Sequence, residues 1–316
     1  MEYKIGTDGH GKTVGDFARQ VAGLSAATLR HLKFTENGIT VDGRHVTVRY
    51  ILSSGETLSL AFEDTEPQEK LIPVSLPLAI AFEDHELVIP DKSAEMPTHP
   101  SHGHYEDTVA NALAYRYAKE GIPFVFRPIN RLDRNTSGLL MIARNRRAAA
   151  TLSEHMREGR IRKQYLAVLE GHPPSEEGII ETHLRRTANS VILRENCEEG
   201  EGGDYAKTHY RVLAKSERHS ICLASPETGR THQLRVHFAG VGAPIVGDDL
   251  YGNRSSLIPR HALHAAALTF PHPTDGRSVR VGAPLHEDMR QLLDALFSDE
   301  AVKQAEAACE ALGIPF

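Results

Sequence analysis

Cysteine is scarce in this chain, and what there is cannot staple it. Cys197, Cys222 and Cys309 are odd in number and far apart, so neither a disulfide framework nor a zinc site has the spacing it needs. No apolar run approaches the ~20 residues of a membrane span. The opening Met1-Glu2-Tyr3-Lys4-Ile5-Gly6 lacks the basic start and apolar core of a signal peptide. The expectation is a cytoplasmic protein with no membrane contact. An overall basic charge is missing too. The formal net charge of −6 argues against a general nucleic-acid binder, whose domain is usually basic. There is no Gly-rich phosphate loop and no redox pair. His99, His102 and His104 could chelate, but no carboxylate or further His stands at helix spacing, so a solvated loop without metal is expected. No cofactor is expected, and the chemistry would run on side chains.

What is present is unevenly placed. The 316 residues suit two domains, or one large domain with an appendage. Arg127 to Tyr165 holds ten Lys/Arg against three Asp/Glu, whereas Glu195 to Asp204 holds five acids and no base, and Glu287 to Glu310 seven acids against two bases. A basic centre with acidic flanks can hold a polyanion in one groove and repel it elsewhere. Simple solvation of basic helix faces is the other reading.

The first sixty residues read as a small module. Val14, Phe17, Ala18 and Val21 fall on one helical face. Ser25 can cap a second helix that buries Leu29 and Leu32. Gly38 to Val48 alternates around Asp42-Gly43, a strong hairpin signal, and Leu58 to Phe62 is a further strand. Residues 63–78, acidic and carrying Pro67, Pro73 and Pro77, read as a linker. A larger domain would span 79–297: a hairpin over Ala79 to Ile89, a helix over Asp107 to Lys119 with Val109, Leu113 and Tyr117 inward, and a helix capped by Asn145. Strands are expected over Arg162 to Leu169, Lys207 to Ala214, Ser220 to Ala224 and Leu268 to Phe270. Thr231 is the expected cap of a helix that puts Gly229-Arg230 at its entrance, and Glu195 to Asp204 reads as an exposed loop. A helix from Ser298 would occupy 298–316, with Val302, Ala305, Cys309 and Leu312 on its docking face.

The stretch that organises the rest is Arg127 to Ala143. A polar loop presents one carboxylate, Asp133, among Arg127, Arg131 and Arg134, and then becomes the unbroken apolar run Leu139 to Ala143, as a strand buried on both faces would. Fixed positive charge beside a carboxylate favours its ionised form, which suits a nucleophile or an electrostatic stabiliser rather than a proton donor.

Arg131-Leu132-Asp133-Arg134-Asn135-Thr136-Ser137-Gly138 before that run resembles the signature of the RluA/RluD-type RNA pseudouridine synthases, although Asn130 stands where most members carry His. Lys92-Ser93-Ala94-Glu95 stands at the family's first motif, where Lys-Pro-Ala-Gly is usual. Lys163-Gln164-Tyr165, Gly229-Arg230-Thr231-His232-Gln233, Leu250-Tyr251-Gly252 and His261-Ala262-Leu263 continue the match. The resemblance implies an α+β catalytic domain around a mixed, largely antiparallel sheet. It implies that Asp133 is catalytic, Tyr165 sits at the target base, Arg230 pairs with Asp133, and Leu263 packs on the base. For Tyr165 and Leu263 plain core packing is the other reading. Residues 1–62 resemble the RNA-binding module named after small-subunit ribosomal protein four, which would place Arg30, Lys33 and Arg44, with Arg19 and Arg49, on RNA. Arg131 and Lys163 would hold the backbone at the catalytic loop.

The function implied is isomerisation of specific uridines to pseudouridine in RNA, ribosomal sooner than transfer, with no obligate protein partner. Asp133 could attack the anomeric carbon of the sugar or remove the neighbouring 2′ proton, and the sequence leaves both routes open. Two rivals stand beside this reading: a glycosidase-like hydrolase, which needs a second carboxylate, and an RNA-binding protein without catalysis.

Overall fold

The computed structural model describes residues 2–21, 24, 26–34, 37–61, 71–190 and 192–316. The expected cap Ser25, the strand end at Phe62 and residues 63–70 of the expected linker lie outside them.

The N-terminal elements are β1 (Glu2–Lys4), α1 (Val14–Gln20), α2 (Ala26–Phe34), β2 (Ile39–Val41), β3 (Arg44–His45) and β4 (Thr57–Leu60). The Thr13 hydroxyl accepts the Asp16 N–H at 3.1 Å and starts α1. Val14, Phe17 and Ala18 point inward as their spacing predicts, but α1 stops at Gln20 and Val21 is exposed. Asp42 and Gly43 both take positive φ, 48° and 76°, as a tight hairpin turn demands. The second arm of that hairpin pairs only over Arg44–His45. Strand β1, which the sequence reading did not anticipate, pairs antiparallel with β4, giving a four-stranded sheet in the order β1-β4-β2-β3. Its core holds Ile5, Phe17, Leu32, Ile39, Leu52 and Leu58.

The rest is built on one large sheet. Along the chain come β5 (Ala79–Glu83), β6 (Leu87–Lys92), α3 (Val109–Lys119), β7 (Arg127–Pro128), β8 (Ser137–Leu139), β9 (Ile142–Ala143), α4 (Arg146–Arg157), β10 (Arg162–Glu170), β11 (Glu177–Arg186), β12 (Arg194–Cys197), β13 (Asp204–Lys215), β14 (His219–Pro226), α5 (Gln233–Gly240), β15 (Leu263–Pro271), β16 (Ser278–Gly282), α6 (Glu287–Leu296) and α7 (Asp299–Ala311). The strand order is β12-β11-β13-β14-β10-β15-β8-β6-β9-β7, with β16 on β15 and β5 on β6. Pairing is antiparallel except between β8 and β15. The fold is thus α+β around a mixed, largely antiparallel sheet, with a small N-terminal sheet beside it.

The apolar run after Asp133 is buried on both faces and feeds two cores. Leu139, Met141 and Ala143 join Leu87 and Phe270 on one side, while Leu140 and Ile142 join Val88 and Leu166 on the other. The run is split into β8 and β9 because Pro90 stands opposite Leu140 and has no N–H to give. The Leu140 N–H still reaches the Pro90 carbonyl at 3.1 Å. Strand β12 occupies part of the segment expected to be a loop. It forms because β11, also unanticipated, offers it a partner from Arg186↔Arg194 to His183↔Cys197. Helix α7 starts where Ser298 accepts the Ala301 N–H, buries Ala305 and Cys309, and docks on β13.

Two expected outcomes follow from the buried sheet. Gly138 has φ +103°, and a Cβ there would sit 2.3 Å from the Ala265 carbonyl oxygen of the parallel neighbour β15. Backbone cannot retreat as a side chain can, so Gly138→Ala should destabilise by at least about 3 kcal/mol in urea unfolding. The second concerns acid. Burial pushes the fully buried His237 and His264 imidazoles down to about 4 from 6.5. The unfolded chain then binds more protons than the fold between those values. Stability is present above the unfolded value and is lost as pH falls toward about 4, on the order of 3 kcal/mol for each histidine. Urea midpoints at about pH 7 and about pH 4.5 should differ accordingly, and His264→Gln should flatten the acid limb.

Candidate active site

The Asp133 loop joins β7 to β8 and is fixed through its backbone. Four successive carbonyls each accept a hydrogen bond: Leu132 from the Thr98 hydroxyl (3.1 Å), Asp133 from the Thr136 N–H (3.0 Å), Arg134 from Lys92 Nζ (2.9 Å) and Asn135 from Arg260 Nη1 (3.2 Å). Lys92 is completely buried and also donates to the Ser93 and Met96 carbonyls, both at 2.9 Å. It latches the segment after β6 to the Asp133 loop, and burial, with Arg260 adding, pushes its ammonium down to about 7. Arg260 is held by Asp288 at 2.6 Å and spends its remaining donors on the carbonyls of Asn135, His261 and Leu263 and on the Ser137 hydroxyl. Asn130, at the position usually His in the family, accepts the Met141 N–H at 2.8 Å through Oδ1 and so ties the two ends of the motif together. The loop therefore owes its shape to groups other than the carboxylate it carries.

Beside the loop lies a cavity of about 890 Å³. Asp133, with 28% of its side chain exposed, lies on its wall. Tyr165, Leu263, Lys163, Arg131 and Arg230 all line it, so the sequence-derived set converges on one place. Tyr165 comes from β10, which shifts register between Gln164 and Tyr165. Its hydroxyl is pushed far above the ordinary phenol range by burial, with the Asp133 charge adding to the effect, so it stays protonated. Lys163 donates to the Thr228 carbonyl at 2.8 Å, and burial lowers its ammonium to about 8. Leu263 is 4% exposed and packs both into the core and against the cavity. Arg30, Lys33 and Arg44 are elsewhere, exposed on α2 and β3. Helix α2 touches α4, which lends Met156 and Arg157 to the cavity rim.

One expectation fails. Arg230 does not pair with Asp133. Its Nε donates to the Tyr205 carbonyl at 2.9 Å, and its Nη1 lies 4.0 Å from Asp204. The reason is the backbone at His232. The helix starts one residue later than expected, with His232 rather than Thr231 as its cap, and His232 takes φ +58°, a conformation uncommon outside glycine. That turn leaves Arg230 on the β13 side and brings Arg235, in the first turn of α5, toward the loop. Arg235 Nη1 lies 3.7 Å and His232 Nε2 3.9 Å from Asp133 Oδ2. Arg235 in turn grips the fully buried Asp248 with Nε at 2.7 Å and Nη2 at 2.6 Å. The Gln233 amide fixes the turn, accepting from the Thr228 hydroxyl (2.7 Å) and the Arg230 N–H (3.0 Å) and donating to the Lys207 carbonyl and the Thr208 hydroxyl (both 3.0 Å). A signal for Arg235 was present in the sequence. An arginine flanked by Leu234, Val236 and Phe238 must be buried with an acid, and Asp248 is near in the chain.

The arrangement gives one carboxylate with a guanidinium and an imidazole facing one oxygen, a protonated phenol and an apolar wall. The other carboxylates at the site are engaged, Asp248 by Arg235 and Glu227 by His209 (2.5 Å) and Lys207 (3.2 Å). Neither is an unpaired second acid of the kind a hydrolase uses. Among the described residues no group of three or more His, Cys, Asp or Glu could hold a metal, and no helix is long and apolar enough to cross a membrane.

The family model for RNA pseudouridylate synthase matches residues 86–240, which include the Asp133, Tyr165 and Arg235 positions. The RNA pseudouridine synthase YjbO of Bacillus subtilis is 34% identical over 89% of this chain and 98% of its own length. Ribosomal large subunit pseudouridine synthase D of Zymomonas mobilis is 37% identical over 71% of this chain and 74% of its own. The structure of human RNA pseudouridylate synthase domain containing 1 superposes with a TM-score of 0.53 at 28% identity, covering 73% of this chain and 97% of that one. The chain belongs to the RNA pseudouridylate synthase family and is an RNA-modifying isomerase.

Proposed function

We propose that this enzyme isomerises uridines of large-subunit ribosomal RNA, with Asp133 as the reacting carboxylate. The observation that carries the reading is the Asp133 carboxylate, partly exposed in a cavity large enough for a nucleotide and held by a loop whose four carbonyls are all occupied. The target nucleotide must leave its stack, at a cost of a few kcal/mol. Tyr165 and Leu263 would then sandwich the uracil. Asp133 takes either the anomeric carbon or the 2′ proton, the bond from carbon 1′ to N1 breaks, the base turns, and carbon 5 joins the sugar. Carbon 5 then gives up its proton, a transfer the Tyr165 hydroxyl would assist. Arg131, Lys163 and Arg230 hold phosphates at the cavity, and residues 1–62 add a second grip through Arg30, Lys33 and Arg44.

The ribosomal target rests on the relatives named ribosomal large subunit pseudouridine synthase D, among them that of Pseudomonas aeruginosa at 33% identity over 83% of this chain. The test is a map of pseudouridines in total RNA from a strain lacking this protein. Loss of one or a few sites in large-subunit RNA, restored by the purified enzyme, is expected. An intact ribosomal map with a missing transfer-RNA site would reassign the substrate.

A further inference from the structure

Tyr251 stands in the turn after Asp248 and touches both Arg235 and His232, whose nitrogens lie 3.7 and 3.9 Å from Asp133 Oδ2. Its ring lies under the Arg235 guanidinium, 5.2 Å from centroid to carbon. Its N–H donates to Asp248 Oδ1 at 3.2 Å. Its hydroxyl is 2.8 Å from His232 Nδ1, and the same oxygen accepts the Arg194 N–H at 2.9 Å. An oxygen that already accepts from a backbone N–H has its own proton left to give, and His232 Nδ1 is there to take it. An imidazole that accepts at Nδ1 carries its proton on Nε2 when neutral, and Nε2 is the atom facing Asp133 at 3.9 Å. Arg235 Nη1 faces the same carboxylate oxygen, Oδ2, at 3.7 Å.

We infer that Tyr251 is a positioning residue for the reaction. Its hydroxyl sets the His232 tautomer and its ring sets Arg235, so two donors converge on Asp133 Oδ2 and leave Oδ1 for the sugar. The left-handed backbone of His232 fits this role, since strained conformations persist where the surroundings hold a side chain to a task. The inference rests on Asp133 being the reacting carboxylate.

The test is a double-mutant cycle on the full chain, read as single-turnover tritium release from RNA labelled at carbon 5 of uridine, with RNA affinity measured alongside. Tyr251→Phe keeps the ring and removes the hydroxyl. His232→Asn removes the imidazole and tolerates positive φ. Each should slow turnover about tenfold with RNA affinity unchanged, and the double variant should be no slower than His232→Asn alone. Tyr251→Leu, which also strips the ring from Arg235, should lose a further factor that His232→Asn does not cancel. Effects that multiply in the double variant, or an unslowed Tyr251→Phe, would overturn the role while leaving Asp133 as it stands. Turnover by Asp133→Ala run beside them would instead overturn the reading beneath it. A second readout needs no turnover. Side-chain nitrogen NMR should find His232 protonated on Nε2 in the wild type and no longer fixed so in Tyr251→Phe, and a wild type protonated on Nδ1 would refute the inference.

Discussion

Asp133→Ala will fold, bind RNA and fail to turn over. The fold is expected to survive because the loop is fixed by its carbonyls, through Thr98, Thr136, Lys92 and Arg260, and none of these contacts involves the carboxylate. Arg235 does not become an unpaired buried charge in the variant, because it keeps both bonds to Asp248. The change in unfolding free energy should therefore stay within about 1 kcal/mol. RNA affinity should be equal or slightly tighter, since a negative charge leaves a cavity rimmed by Arg131, Arg134 and Arg157. Turnover should fall by at least about 10⁴-fold, because both open routes need this carboxylate and the neighbouring acids are engaged. Asp133→Asn should be as inactive, since the amide keeps the shape and loses both nucleophile and base. Tritium release from labelled RNA, with filter binding on the same preparations, checks all three parts. Release by Asp133→Ala above background would remove Asp133 from the chemistry.

The Asp133 loop was legible in the sequence and its supports nearly invisible. Asp133, Tyr165 and Leu263 stand in short contiguous motifs, so the resemblance points to them one motif at a time, and all three line the same cavity. The unbroken apolar run Leu139 to Ala143 marks chain buried on both faces, because period-2 alternation disappears where both faces are core. The supports are long-range. Lys92 acts on Arg134, 42 residues away, and Arg260 on Asn135, 125 away, through backbone carbonyls that every residue has and no pattern marks. The same applies to β1 and β12. Each is too short to show a period and exists because a partner strand receives it. The resemblance points to Arg230 as the partner of Asp133 because it stands in a motif with the right chemistry. The left-handed residue that turns it away is a histidine, which marks positive φ far less sharply than a glycine does.

Arg235→Lys should cost more rate than any change at Arg230, and the contrast tests the geometry directly. Arg235 serves two carboxylates with one planar fork: Nε and Nη2 to Asp248, Nη1 toward Asp133. Lysine keeps the charge but offers a single point, which cannot be bidentate on Asp248 and still reach Asp133. Asp248 also keeps the N–H groups of Leu250 and Tyr251, so the lysine variant should fold with a moderate loss. Its turnover should drop about 10²- to 10³-fold at saturating RNA, the scale of losing one preorganised electrostatic contact to a reacting group. Arg235→Gln is a different experiment. It strands a fully buried carboxylate without a cation and should destabilise by roughly 3–5 kcal/mol. Arg230→Gln leaves Asp133 and its partners in place, so saturated turnover should change no more than a few-fold while RNA binding weakens and its salt dependence shrinks. A loss at Arg230→Gln as deep as at Arg235→Lys, with RNA saturating, would mean that bound RNA swings Arg230 from the Tyr205 carbonyl onto Asp133. The pair would then form only in the complex.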